Sequence, residues 1–126
     1  MALQDGAYVD VRGIKTHYHE AGSGKPVVLI HGSGPGVTAW ANWRLTLPYL
    51  AERGFHVYAF DLVGFGYTAI EPGVHYGMKQ WVEHVIAFIE DVVPGKRAAL
   101  VGNSLGGALT IGVAVRRPEL IERMVL

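Results

Sequence analysis

Three short apolar runs set the frame for this chain. Val27-Val28-Leu29-Ile30 and Ala98-Ala99-Leu100-Val101 carry no polar side chain, and Val57-Tyr58-Ala59-Phe60 carries only a tyrosine hydroxyl. A strand with one face in water alternates apolar and polar residues; an unbroken run belongs to a strand covered on both faces, as in the middle of a parallel sheet. Parallel neighbours need long crossovers, and the segments between these runs have a helical pattern. From Lys79 to Val93, Trp81, Val85, Ile89 and Val92 recur at helical spacing until Pro94-Gly95 stops the run. Asn42 to Arg53, closed by Gly54, is predicted as a second helix and Leu105 to Arg116, closed by Pro118, as a third. Another strand is expected to begin at Glu122 and run to Leu126. Ahead of the first run, Ala7 to Val11 and Ile14 to Glu20 flank Arg12-Gly13 as a hairpin. On its second strand Ile14, Thr16 and Tyr18 share one face, and Lys15, His17 and His19 share a face expected to be wet. The whole reads as one α/β domain with a mostly parallel, doubly wound sheet.

With 126 residues there is room for one domain at most. Only 17% of residues are charged and 50% are hydrophobic, oilier than so small a domain needs, so the chain is expected to associate or to be part of something larger. Eleven basic and eleven acidic side chains cancel, and no basic run appears, which removes nucleic acid as a partner. The absence of cysteine removes disulfides and thiolate zinc sites. Met1 to Gly13 has no apolar core of signal-peptide length, and the longest nearly apolar stretch, Ala108 to Val115, is far too short to span a bilayer. A soluble, cytoplasmic protein without a membrane partner is expected.

The sharpest chemical signal is Gly102-Asn103-Ser104-Leu105-Gly106, a G-x-S-x-G pentapeptide between a buried strand and a helix. A nucleophile on so sharp a turn takes a strained backbone, and side chains at Gly102 and Gly106 would collide with neighbouring elements. The turn would lift the Ser104 hydroxyl clear of the sheet and leave the Leu105 N–H free at a helix start, where an oxyanion could form. The bland alternative is a glycine-rich turn with Ser104 as a simple helix cap. A second oxyanion donor is needed from the loop after the first central strand, His31-Gly32-Ser33-Gly34-Pro35-Gly36, and Ser33 or Gly32 would supply it.

Competing motifs are weaker. Gly34-Pro35-Gly36-Val37-Thr38-Ala39 fits a dinucleotide-binding pattern with Asp61 further on, but Pro35 removes one N–H and the first glycine comes three residues late. Gly22-Ser23-Gly24-Lys25 fails as a phosphate loop because Pro26 stands where Ser or Thr belongs. His17 and His19 lack a third metal ligand, so neither cofactor nor metal is expected.

The run His31 to Gly36, then Trp40-Ala41-Asn42-Trp43-Arg44, Asp61-Leu62-Val63-Gly64-Phe65-Gly66-Tyr67, Trp81-Val82-Glu83-His84 and Gly102 to Gly107 together resemble the meta-cleavage product hydrolases of the α/β-hydrolase fold, the 2-hydroxymuconic semialdehyde hydrolases among them. The resemblance extends from about Val9 to Leu126. It implies hydrolysis of a carbon–carbon bond in a dienoate formed by ring cleavage of a catechol. It also implies Ser104 as catalytic serine, Ser33 and Leu105 as oxyanion donors, and Asn42 and Asn103 as contacts to the substrate's polar end. Asp61 would be a turn former, and Thr68 replaces a serine usual in that pattern. His31 would brace the oxyanion loop. A full-length form would be a homo-oligomer.

In this fold the acid and the histidine follow the nucleophile. After Ser104 the sequence offers Glu119 and Glu122 but no Asp or His, so residues 1–126 are expected to be the amino-terminal portion of one α/β-hydrolase domain, ending in its sixth strand without lid or complete triad, and to be inactive alone. The alternatives are a generic serine esterase and a non-catalytic associating fragment. Dehalogenase and epoxide-hydrolase versions are disfavoured because they need aspartate where Ser104 stands.

Overall fold

The computed structural model describes residues 3–70 and 72–126. Six strands form one sheet: β1 (Ala7–Val11), β2 (Ile14–Ala21), β3 (Lys25–Ile30), β4 (Phe55–Phe60), β5 (Ala98–Gly102) and β6 (Ile121–Val125). Their spatial order is β1-β2-β4-β3-β5-β6. The hairpin β1-β2 pairs antiparallel and adds to β4 antiparallel, whereas β4, β3, β5 and β6 run parallel.

The apolar runs are central because both of their faces are covered. Val28, Ile30, Tyr58, Phe60 and Leu100 point into one core with α3 (Met78–Val92) and α4 (Leu105–Arg116). Val27, Leu29, Val57 and Ala59 point into the other with α1 (Ala39–Trp43) and α2 (Thr46–Ala51). Helix α3 buries one stripe, Val82, Val85, Ile86, Phe88 and Ile89. Phe88 stacks on Phe60 with ring centroids 4.2 Å apart, and burying such a ring contributes about 2 kcal/mol.

Two sequence expectations need correction. The segment from Asn42 to Arg53 is not one helix: α1 ends at Trp43 and α2 starts at Thr46. Pro48 is the reason, since it has no N–H for the Arg44 carbonyl and its ring would collide with that carbonyl in a continuous helix. The face of β2 that carries His17 and His19 is not wet either. Both are buried, because a 3₁₀ turn at Leu3–Asp5 closes over them. His17 Nε2 donates to the Asp5 carbonyl at 2.8 Å and His19 Nδ1 to that of Leu3 at 2.7 Å, while the His19 ring lies 5.0 Å from that of Trp40. On that face Lys15 remains exposed.

Candidate active site

The carboxyl ends of β3 and β5 lie side by side, with Ile30 opposite Gly102, and Asn103 N–H donates to the Ile30 carbonyl at 3.1 Å. The chain then turns into α4 through Ser104, whose backbone stands at φ 56° and ψ −112°. That is a left-handed conformation costly for any residue with a Cβ. The surroundings enforce it. A Cβ on Gly102 would strike the Gly106 carbonyl, and one on Gly106 would strike the Ile30 and His31 carbonyls, so only glycine lets the turn close this tightly. Ser104 is exposed and makes no side-chain cap to α4, which removes the helix-cap reading.

The loop after β3 packs directly on this turn. A Cβ on Gly32 would stand 3.0 Å from the Asn103 carbonyl and 3.3 Å from Ser104 Cβ. Gly32 itself is not a free donor: its N–H goes to Asn42 Oδ1 at 2.8 Å. This corrects Gly32 as an oxyanion candidate and leaves Ser33. Among the described residues neither Ser33 N–H nor Leu105 N–H has an acceptor. Asn42 Oδ1 also accepts from Asn103 Nδ2 at 3.2 Å, so one carbonyl oxygen ties the β3 loop, α1 and the nucleophile turn together. Among the described residues the amide nitrogen of Asn42 has no acceptor.

His31 is fully buried behind the loop. Its Nε2 accepts from Leu62 N–H at 3.0 Å and its Nδ1 donates to the Gly32 carbonyl at 2.7 Å, which fixes a neutral tautomer and braces the loop against the segment after β4. Burial pushes its pKa down from the usual value, outweighing the Gly32 carbonyl and the charge of Asp61. His84 is similar. Its Nδ1 accepts from Val63 N–H at 3.1 Å, so Nε2 donates to Thr16 Oγ1 at 2.9 Å, and burial pushes its pKa down to about 4. His56 pairs with Glu20, and His75 is exposed in the loop before α3. All six histidines are described, and none is hydrogen-bonded to Ser104 Oγ.

Asp61 is fully buried, and it is more than a turn former. Its Oδ1 accepts from Ala39 N–H at 2.7 Å, and its Oδ2 accepts from Tyr67 N–H at 3.1 Å and meets His17 Nδ1 at 3.0 Å. The sequence signal that could have found this was an aspartate directly after an apolar strand, followed by a turn held by Gly64 and Gly66. The dinucleotide pattern at Gly34 leads into a helix of only five residues, too short to offer a dipole to a pyrophosphate.

A mostly parallel sheet with a serine on a left-handed turn after a central strand, glycines at the crowded positions and free N–H groups beside it defines a class. Residues 25–126 match the family model described as alpha/beta hydrolase fold, and the chain belongs to that family. Within it, the chain is 52% identical over 121 residues to a 2-hydroxy-6-oxo-2,4-heptadienoate hydrolase of Pseudomonas putida, covering 96% of this chain and 43% of that protein. It is 45% identical over 121 residues to a 2-hydroxymuconate semialdehyde hydrolase of a Pseudomonas species, covering 96% and 42%. The solved meta-cleavage product hydrolase of Pseudomonas fluorescens, a mutant complexed with acetates, superposes with a TM-score of 0.91 at 46% identity, covering 99% of this chain and 45% of that one. The chain thus spans less than half the length of these relatives.

Proposed function

We propose that Ser104 is the nucleophile of a hydrolase that cleaves a carbon–carbon bond in the dienoate products of catechol ring cleavage. The observation that carries the reading is the backbone of Ser104, held left-handed with its hydroxyl uncapped and two unpaired N–H groups nearby. Strain of this kind persists only where the surroundings over-determine it, and here it presents an oxygen rather than satisfying the fold. The substrate class rests on what the relatives are named for.

Attack of Ser104 Oγ on the substrate carbonyl would place negative charge on its oxygen, where the N–H groups of Ser33 and Leu105 stabilise it. The Asn42 Nδ2 group and the second hydrogen of Asn103 Nδ2 supply neutral donors for the dienoate's carboxylate and enol oxygens. A base must take the serine proton. No histidine of residues 1–126 is bonded to Ser104, and the family order puts acid and base later in the chain, so the proposal assigns both to residues beyond 126. The domain, on this reading, extends past these residues, works in the cytoplasm on a small molecule, and self-associates in its longer form. Among the described residues, no helix is long and apolar enough to cross a membrane.

The test is loss of the visible absorbance of the dienolate, with the chain extended to the length of its relatives and compared with its Ser104→Ala variant. Rapid cleavage of nitrophenyl esters with no effect on the dienolate would replace this substrate with that of a generic serine esterase.

A further inference from the structure

Position 32 has to be glycine, and that leaves a freedom the site must remove from elsewhere. A Cβ there would crowd the Asn103 carbonyl and Ser104, yet glycine turns readily about both of its backbone bonds. Asn42 Oδ1 holds the Gly32 N–H and so fixes only the peptide before it. The peptide after it joins the Gly32 carbonyl to the Ser33 N–H. A trans peptide is planar and points these two groups in opposite directions, so whatever grips the carbonyl also aims the N–H. Among the described residues that grip is His31 Nδ1 alone.

The His31 ring is in turn set by a tight turn over residues 62–65, closed by Phe65 N–H on the Leu62 carbonyl at 2.9 Å. Leu62 N–H donates to Nε2, and the Phe65 ring meets the imidazole edge-on with centroids 5.1 Å apart. This turn needs an anchor outside itself, because it contains Gly64 at φ 90°, a residue that swings as readily as Gly32. Helix α3 supplies it. Trp81 Nε1 donates to the Val63 carbonyl at 2.8 Å, which fixes the peptide entering Gly64, and the indole lies 5.7 Å from the Phe65 ring. His84, one turn further along α3, holds only the peptide before that, through Val63 N–H. We propose that Trp81, in the first turn of α3, is a positioning residue for Ser33, acting through Phe65 and His31 to aim the oxyanion N–H. It touches no reacting atom, and this role rests on the reading of Ser33 as a donor beside the nucleophile Ser104.

Ring-nitrogen and amide NMR spectra of the 126-residue chain test the route without any turnover. His31 is expected as the neutral tautomer with its hydrogen on Nδ1, since the Gly32 carbonyl can only accept and Leu62 N–H can only donate. In Trp81→Leu a second population with the hydrogen on Nε2 should appear. The Ser33 amide should shift with it, while the Asn103 N–H, bonded to the Ile30 carbonyl, stays in place. Trp81→Phe, which keeps a ring against Phe65 but not the indole N–H, should give a smaller change in the same direction and carries the test if the leucine variant does not fold. A folded variant that only loses stability, with the His31 and Ser33 signals unmoved, has a merely structural tryptophan and overturns the proposal. In the chain extended to the length of its relatives, Trp81→Leu should lower kcat about tenfold with KM nearly unchanged, because an oxyanion donor acts on the transition state. A raised KM with kcat intact overturns the positioning role. An extended chain that cleaves nothing rejects Ser104 as nucleophile, whereas the spectra still accept or reject the path from Trp81 to Ser33.

Discussion

Ser104 sits in a backbone conformation that its own side chain resists. Such strain costs about 1–3 kcal/mol, part of which a glycine recovers and part of which it returns as unfolded-state entropy. Ser104→Gly should therefore be more stable than the native chain by about 1 kcal/mol in urea denaturation, whereas Ser104→Ala, which keeps the Cβ, should gain nothing. Equal midpoints for the two variants would mean that no strain is stored there. The pentapeptide made the turn legible because its glycines are demanded by local geometry. The grip of Asn42 on Gly32 was not legible, since it joins loop to helix across the sheet end with no periodicity to announce it. Asparagine beside a motif says polar contact, and only the fold says with what.

At the scale of elements, His84 joins α3 to β2 and to the segment after β4. Its folded pKa of about 4 lies below the ordinary 6.5, so the unfolded chain binds the extra proton first as pH falls. Stability is thus full above pH 6.5 and declines between there and about 4, by about 3 kcal/mol from this residue. His31 and His19, pushed down by burial as well, add slope of the same sign. His84→Asn, whose Oδ1 can accept from Val63 N–H, should flatten this part of the pH–stability curve; an unchanged slope would exclude His84 as its source. The strand runs and the long helix were readable because burial on two faces, or on one stripe, writes a simple pattern. The covered face of β2 was misread because a turn from distant residues covers it, and histidines look the same in sequence whether wet or paired. Strand β6 shows a further trait of elements: Met124 is 48% and Val125 60% exposed on a strand unpaired along its outer edge. Val125→Lys should raise the concentration at which the chain stays monodisperse in size-exclusion chromatography, because a charged edge discourages strand addition. An unchanged threshold would place the sticky surface elsewhere.

At the scale of the whole molecule, activity turns on a base for Ser104. Without a base, serine is a poor nucleophile, and loss of the base costs on the order of a million-fold in turnover. The 126-residue chain should show no hydrolysis of dienolate or activated ester above its Ser104→Ala control. Ser104-dependent turnover would mean that a base had been found among these residues. A folded, monomeric chain at all concentrations would in turn argue against the associating-fragment alternative, despite the exposed Ile111 and Val115 on α4.

The sheet order has a consequence for how such a chain leaves the ribosome. Strand β3 is made early, yet its flanks are β4 and β5: Val28 meets Tyr58 on one side and Leu100, about seventy residues later, on the other. At ordinary rates of synthesis the second flank arrives several seconds after β3 has emerged, on the order of 4–15 s. For that interval Val27 to Ile30 is an oily ribbon with an open side, and the loop that faces Ser104 has nothing to close on. The nascent chain must be shielded or kept from its neighbours until β5 emerges, and a pause in translation placed before β5 would lengthen its most aggregation-prone moment.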